Sequence, residues 1–301
     1  MSRVSTFANL GIDLTGVNKI QLALEKANLD YMVEGRDLSY EFNGFQVNLP
    51  DVMTTVRLTD GHSYGVVSKN YGIVQNAEAF DFVNYIDAPI EFVKGGETKN
   101  GMVYVICKLE DMDILGDKFT PYVLFRNSFN GSYALQACVC PLRIVCQNQF
   151  NISFRDTENT ITLKHSKNIA DRKREAQIVL ANTVNYLHDL KKQAEVWAGQ
   201  RVSLADVNSI INNLFPIKEN MSDRQKEVII NKINAFKTAY NAEDNRAFRG
   251  TAWGIINAST DYFTHEEPVR QTATAEENRF VSVTFDPKVM QKVVSLVSAV
   301  A

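Results

Sequence analysis

The chain has 301 residues, of which 45% are hydrophobic and 22% charged, and a formal net charge of −3. That composition supplies a sizeable core and argues against wholesale disorder, and no stretch approaches the ~20 apolar residues of a membrane-spanning helix. The charge is uneven: residues 1–150 hold 12 Lys+Arg against 17 Asp+Glu, a balance of −5, while residues 151–301 hold 20 against 18, a balance of +2, so contact with a polyanion would rest on local patches.

Met1 to Leu14 carries one Arg and no long apolar run, which predicts no signal peptide and leaves the cytoplasm as the expected location. Thr15 is placed to cap a short helix running to about Asn28, with Ile20, Leu24 and Ala27 on one face. Strand-like pieces follow at Asp30 to Glu34, Leu38 to Val47 and Val52 to Leu58, then a turn at Thr59-Asp60-Gly61-His62 and a returning strand from Ser63 to Lys69. Asn76 is read as the cap of a compact helix, Ala77 to Ile86, stopped by Pro89.

A second β section follows. Ile90 to Val93 and Met102 to Leu109 flank a turn-rich stretch, and Tyr122 to Phe129 and Tyr133 to Val139 flank Asn130-Gly131. Asn-Gly tolerates the positive φ angles of a type I′ turn, so the hairpin is expected there. Pro141 is expected to interrupt the second strand, and Arg143 to Phe154 fits either a strand or a buried helical turn.

Beyond residue 165 the pattern turns helical. A stripe runs through Ala176, Val179 or Leu180, Thr183, Leu187, Leu190, Ala194 and Trp197 to a stop at Gly199. Ser203 caps a helix to Phe215. Ser222 and Gln225 form a capping-box pattern ahead of a stripe of Ile229, Ile233, Phe236 and Tyr240. Thr251 to Phe263 reads as a helix, His265 to Asn278 as a surface loop, Phe280 to Phe285 as an alternating strand, and Pro287 as the start of a last amphipathic helix. The expected fold class is α+β: an antiparallel, hairpin-rich sheet in a β-rich region, 1–165, packed with a helical region, 166–301, whose late strand returns to the sheet in one intertwined domain.

The chain holds no G-x-x-x-x-G-K-[ST] or G-x-G-x-x-G phosphate loop, and neither H-E-x-x-H nor G-x-S-x-G. Cys138, Cys140 and Cys146 are closely spaced, but no nearby His completes a zinc set, so they read as reduced, small apolar residues. A Cys146–His165 nucleophile pair and a metal site from Asp261, His265, Glu266 and Glu267 are weaker constellations. No catalytic residue, metal or cofactor is assigned.

The best electrostatic feature is Lys164-His165-Ser166-Lys167 with Arg172-Lys173-Arg174, which places five cations within eleven residues, offset only by Asp171. It lies at or before the start of a long helix, where backbone N–H groups and side-chain cations both favour phosphate. The ordinary alternative is a solvated helix start. Aromatics near cations form a second feature: Tyr64, Lys69 and Tyr71 on one hairpin, and Tyr122, Phe125, Arg126 and Phe129 on another. Such sets stack single-stranded bases in a basic groove, or serve as core.

Several segments, in order, resemble a phage/plasmid-like protein family classed as a domain of unknown function. They are Lys69-Asn70-Tyr71-Gly72-Ile73-Val74-Gln75-Asn76 with Ala79-Phe80-Asp81-Phe82, Arg126-Asn127-Ser128-Phe129-Asn130-Gly131-Ser132, Pro141-Leu142-Arg143-Ile144-Val145-Cys146-Gln147-Asn148, Lys164-His165-Ser166, and Gly250-Thr251-Ala252-Trp253-Gly254-Ile255-Ile256-Asn257-Ala258. The resemblance spans roughly residues 50 to 265 and implies a phage, prophage or plasmid setting, where proteins handle nucleic acid or counter host defence. The order of elements is similar to the β-β-β-α core of single-strand annealing proteins, a likeness at the level of fold alone.

The leading expectation is therefore a non-enzymatic, homo-oligomeric binder of single-stranded nucleic acid. Lys164, Lys167, Arg172, Lys173 and Arg174 would meet phosphates, with Arg126, Arg143 and Lys69 as further candidates. Arg143 fits phosphate neutralisation and, equally, a carboxylate pairing. Two other readings stay open: a factor that binds a host protein, and a metal-dependent nuclease.

Overall fold

The computed structural model describes residues 11–143, 160–163, 165, 180–268, 272–285 and 288–300. Its β-rich part holds β1 (Ile12–Asp13), α1 (Ile20–Lys26), β2 (Val33–Phe42), β3 (Phe45–Arg57), β4 (Ser63–Ser68) and α2 (Asn76–Phe80), the last running into a 3₁₀ turn at Asp81–Tyr85. Then come β5 (Glu91–Glu97), β6 (Met102–Lys108), β7 (Met112–Ile114), β8 (Asp117–Ser128), β9 (Leu135–Arg143) and β10 (Thr160–Leu163). The helical part holds α3 (Thr183–Gly199), α4 (Leu204–Leu214), α5 (Asp223–Tyr240), α6 (Ala252–Asp261), a π-turn at Tyr262–Glu266, α7 (Ala275–Phe285) and α8 (Lys288–Ser298).

Two antiparallel sheets result. The larger runs β1-β5-β6-β8-β9-β10, with β7 beside β8, and the smaller is β2-β3-β4. Strand β6 is buried along almost its whole length, because both faces of the large sheet are covered. On one face Val103, Val105, Val123, Phe125 and Val139 pack with Leu24 of α1, Phe80 of α2 and Leu187 of α3. On the other, Met102, Tyr104, Ile106, Leu124, Cys138 and Cys140 pack with Phe280 and Phe285 of α7. A third core fills the helical part around Trp197, Phe236, Trp253 and Tyr262, and includes Ile114 and Phe119 from the strands.

The α+β class is as expected, and two capping signals of the helical part fall where sequence placed them. Ser203 and Ser222 each accept from the third backbone N–H of their helix, with Asp206 and Gln225 closing the box. Gly199 ends α3. Cys107, Cys138 and Cys140 are buried, unbridged thiols, as small core residues should be.

Four expectations are corrected. The alternating run Phe280 to Phe285 is no strand but the C-terminal half of α7. Its buried residues, Phe280, Thr284 and Phe285, sit at i, i+4 and i+5, a helical spacing that a six-residue window does not separate from alternation. It does lie against the sheet, but as a covering helix. Second, the type I′ turn is at Asn43-Gly44, where φ is 50° and 82° and Phe42 pairs directly with Phe45; the sequence reading had run a strand through this point. Asn130-Gly131 lies instead in a longer connection between Ser128 and Leu135, because Phe129 is drawn into the core beside Tyr31 and Tyr64. Third, β9 continues through Pro141, which sits opposite Pro121 of β8; two prolines can face each other at a pair that exchanges no N–H bonds. Fourth, the first helices are shorter and start elsewhere: Lys19, not Thr15, holds the N-cap position of α1, and Gln75, not Asn76, that of α2, neither with a side-chain capping bond.

Candidate functional site

Three of the segments that carry the family resemblance, Lys69 to Asn76, Arg126 to Ser132 and that of His165, meet where the small sheet lies against the end of the large one, while Gly250 to Ala258 lies in the helical core. Thr55 of β3 donates to the Phe129 carbonyl at 2.6 Å, and Tyr71, just past β4, donates to the Ser128 carbonyl at 2.8 Å. Ser128 closes the β8–β9 connection by exchanging two hydrogen bonds with the Tyr133 backbone, at 2.8 and 3.1 Å. Beneath them, the buried Asn127 amide donates to the Val74 carbonyl at 2.9 Å, and Asn76 donates to the Leu29 carbonyl at 2.9 Å. These bonds from buried amide N–H groups to backbone carbonyls fix the loop positions.

His165 joins the same place. Its ring stacks on Tyr71 with centroids 4.8 Å apart and planes 20° from parallel, and its Nδ1 lies 3.1 Å from the Gly72 carbonyl. A carbonyl only accepts, so Nδ1 carries the proton. The Gly72 N–H returns to the His165 carbonyl at 3.4 Å. Burial holds the imidazole pKa below its ordinary value, against the opposing pull of the Gly72 and Tyr133 carbonyls. Burial likewise pushes the Tyr71 hydroxyl up to about 12.

On the other side of Asn130 opens a cleft of about 610 Å³, lined by Arg57, His62, Tyr64, Glu97, Lys99 and Asn130 among others. Arg57 is its organiser. Its Nε and Nη2 each reach one Asp60 oxygen at 2.9 Å, and its Nη1 reaches Glu97 at 3.2 Å. The guanidinium carbon lies 4.9 Å from the Tyr31 ring centroid and 5.8 Å from that of Tyr64. Tyr31 donates to Glu97 at 3.1 Å, and His62 meets Tyr64 edge-on at 5.0 Å. The hydrogen bonds that Arg57 donates to Asp60 raise the Arg57 pKa above its ordinary value and lower that of Asp60. Burial pushes Tyr31 up to about 12 and Tyr64 higher still. Both phenols therefore stay protonated; Tyr31 directs its hydrogen bond to Glu97 beneath the cleft, and the Tyr64 and His62 rings line it. This cluster escaped sequence reading; the one local signal was Arg57 three residues before Asp60, across a turn already recognised.

The sequence candidates scatter. Lys69 ends near this place, two residues before Tyr71, in an exposed ion pair with Asp37. Arg126 points to the opposite face, its guanidinium 5.0 Å from the Tyr133 ring and 4.3 Å from that of Phe285; Phe125 and Phe129 are buried core. Arg143 ends β9 opposite Phe119, and its side chain lies outside the described residues. So do Lys164, Lys167, Arg172, Lys173 and Arg174, along with Cys146, Gln147 and Asn148. Glu267 pairs with Lys232 at 3.0 Å, and among the described residues no three His, Cys, Asp or Glu side chains are grouped to hold a metal ion, those of Asp261, His265, Glu266 and Glu267 included. No helix among the described residues is long and apolar enough to cross a membrane.

No curated protein matches the chain. The family described as "Domain of unknown function (DUF932)" matches residues 63–283, a span that contains the Tyr71–His165 stack, Asn127 and β5 to β10, and on that match the chain belongs to this family.

Proposed function

We propose that this chain is a non-enzymatic, self-associating binder of single-stranded nucleic acid in a phage or plasmid setting, acting in annealing or recombination. The observation that carries this reading is the stacking of His165 on Tyr71. It anchors the one described residue of the basic segment Lys164 to Arg174 near Lys69 and a polar cleft that carries the Tyr64 and His62 rings. Phosphate neutralisation needs cations that share a locality, and base stacking needs ring faces nearby; single-strand binders combine the two. The asparagine amides Asn100 and Asn130 supply donors for base edges or sugars.

The test is fluorescence anisotropy with labelled single-stranded and duplex oligonucleotides across a salt series. Single strands are expected to bind more tightly than duplex, with affinity falling steeply as salt rises. Charge reversal in the double variant Arg172→Glu/Arg174→Glu is expected to weaken binding at least tenfold. Absence of affinity at low salt would overturn the reading.

A further inference from the structure

The hairpin of β2 and β3 extends past the rest of its sheet. Strand β4 pairs β3 only over Val52 to Val56, so Leu38 to Leu49 form a ribbon of two strands. Its two faces differ completely. Alternation puts Leu38, Tyr40 and Phe42 on one side, and the pairs Leu38–Leu49, Tyr40–Val47 and Phe42–Phe45 add Leu49, Val47 and Phe45 to that side. The reverse side carries Ser39, Glu41, Gln46 and Asn48, with Ser39 donating to Gln46 at 2.9 Å. The apolar side faces solvent: Phe45 is 74% exposed, Phe42 61% and Tyr40 49%. Val66, on the same outward face of β4, is exposed as well.

Two-stranded ribbons are marginal on their own, and a contiguous apolar face of this kind marks a contact surface. We propose that this face packs on the same face of a second copy of the chain, about a two-fold axis. The inference rests on the self-association in the proposed function and names where it occurs. Charge points to an apolar protein surface as the occupant. Between Leu38 and Leu49 there is no Lys or Arg, and the one carboxylate, Glu41, is on the reverse side, so nothing here meets a phosphate backbone. Symmetry points to a second copy. The face is built of like residues opposed across the ribbon, Phe42 with Phe45 and Leu38 with Leu49, so a two-fold lays apolar side chain on apolar side chain along its whole length. The area is also suitable. Aromatic side chains present roughly 150–250 Å² each, so at these exposures two copies with their Leu49 and Val66 would bury on the order of 1,000 Å², the lower bound of a specific interface.

The experiment is the mass in solution of the full chain, by light scattering or sedimentation at tens of micromolar, for the wild type and for Phe42→Glu/Phe45→Glu. Both positions are exposed, so the variant should keep the wild-type circular dichroism and melting temperature while its mass falls to half or less. As a second measurement, Phe45→Cys should form a disulfide-linked dimer under mild oxidation. If the charge variant keeps the wild-type mass, the ribbon is not the contact and self-association runs through another surface. A wild type of single-chain mass overturns the contact and the self-association together. If the variant keeps its mass but loses oligonucleotide binding, the face belongs to nucleic acid and the inference is overturned.

Discussion

The imidazole of His165 and the phenol of Tyr71 stack at 4.8 Å although 93 residues separate them in sequence. With Nδ1–H already given to Gly72, a second proton would put charge on a half-buried ring. Its pKa is lowered by burial, so below the unfolded value of ~6.5 the unfolded chain binds more protons than the folded one, and stability rises with pH across that window. Acidification from pH 7 to pH 5 is therefore expected to lower the melting temperature. His165→Asn should flatten that slope relative to wild type, as read by thermal melts at each pH. An identical slope in the variant would remove His165 as the sensor.

Lys69 tests the electrostatic half of the functional reading. Its exposed pair with Asp37 is worth little to the fold, so Lys69→Ala should change stability by less than ~1 kcal/mol. If Lys69 contacts phosphate, the same variant lowers the salt slope of oligonucleotide binding by about 1. Denaturant titration and the salt series separate the two effects.

The tip of the ribbon depends on backbone geometry alone. Gly44 has φ +82° and open space around a would-be Cβ, so Gly44→Ala meets no neighbour and costs only the left-handed conformation, ~1–2 kcal/mol. The loss should be local, seen as faster hydrogen exchange between Leu38 and Leu49 with a near-unchanged global melt.

Gly254 is the opposite case. It lies in α6 with ordinary helical φ, and a Cβ there would run into the carbonyl oxygen of Phe248. That oxygen belongs to backbone held by Thr251, whose hydroxyl donates to it at 2.7 Å, so it has little room to yield. Gly254→Ala is expected to destabilise by ~1–3 kcal/mol, measured by chemical denaturation, while Gly250→Ala acts through its φ of +76° alone.

Local chemistry was legible in the sequence where a feature is decided within a few residues. The Ser203 cap, the Ser222 box, the Gly199 stop and the β3–β4 turn at Asp60-Gly61 are of that kind. Where two local signals were equal in kind, tertiary packing chose between them. Both Asn43-Gly44 and Asn130-Gly131 encode a tight turn, but burial of Phe129 stretches the second into a longer connection. The strand read at Phe280 to Phe285 failed because six residues satisfy both periods, and the sheet face beside Tyr104 accepts a helix. The site was the least legible part. Tyr31 precedes β2, Arg57 ends β3 and Glu97 ends β5 of the other sheet, and nothing near any one of them announces the other two; packing of the small sheet against the large one brings them together.

The bond from Thr55 to the Phe129 carbonyl crosses the boundary of the family match, since Thr55 precedes residue 63 and Phe129 follows it. The shared span therefore begins in the middle of a sheet, at β4, while β2 and β3 stand outside it. A fragment trimmed to residues 63–283 would strip β4 of its neighbour, bare Val67 and present a raw edge to other chains. Such a fragment should aggregate where the full chain does not.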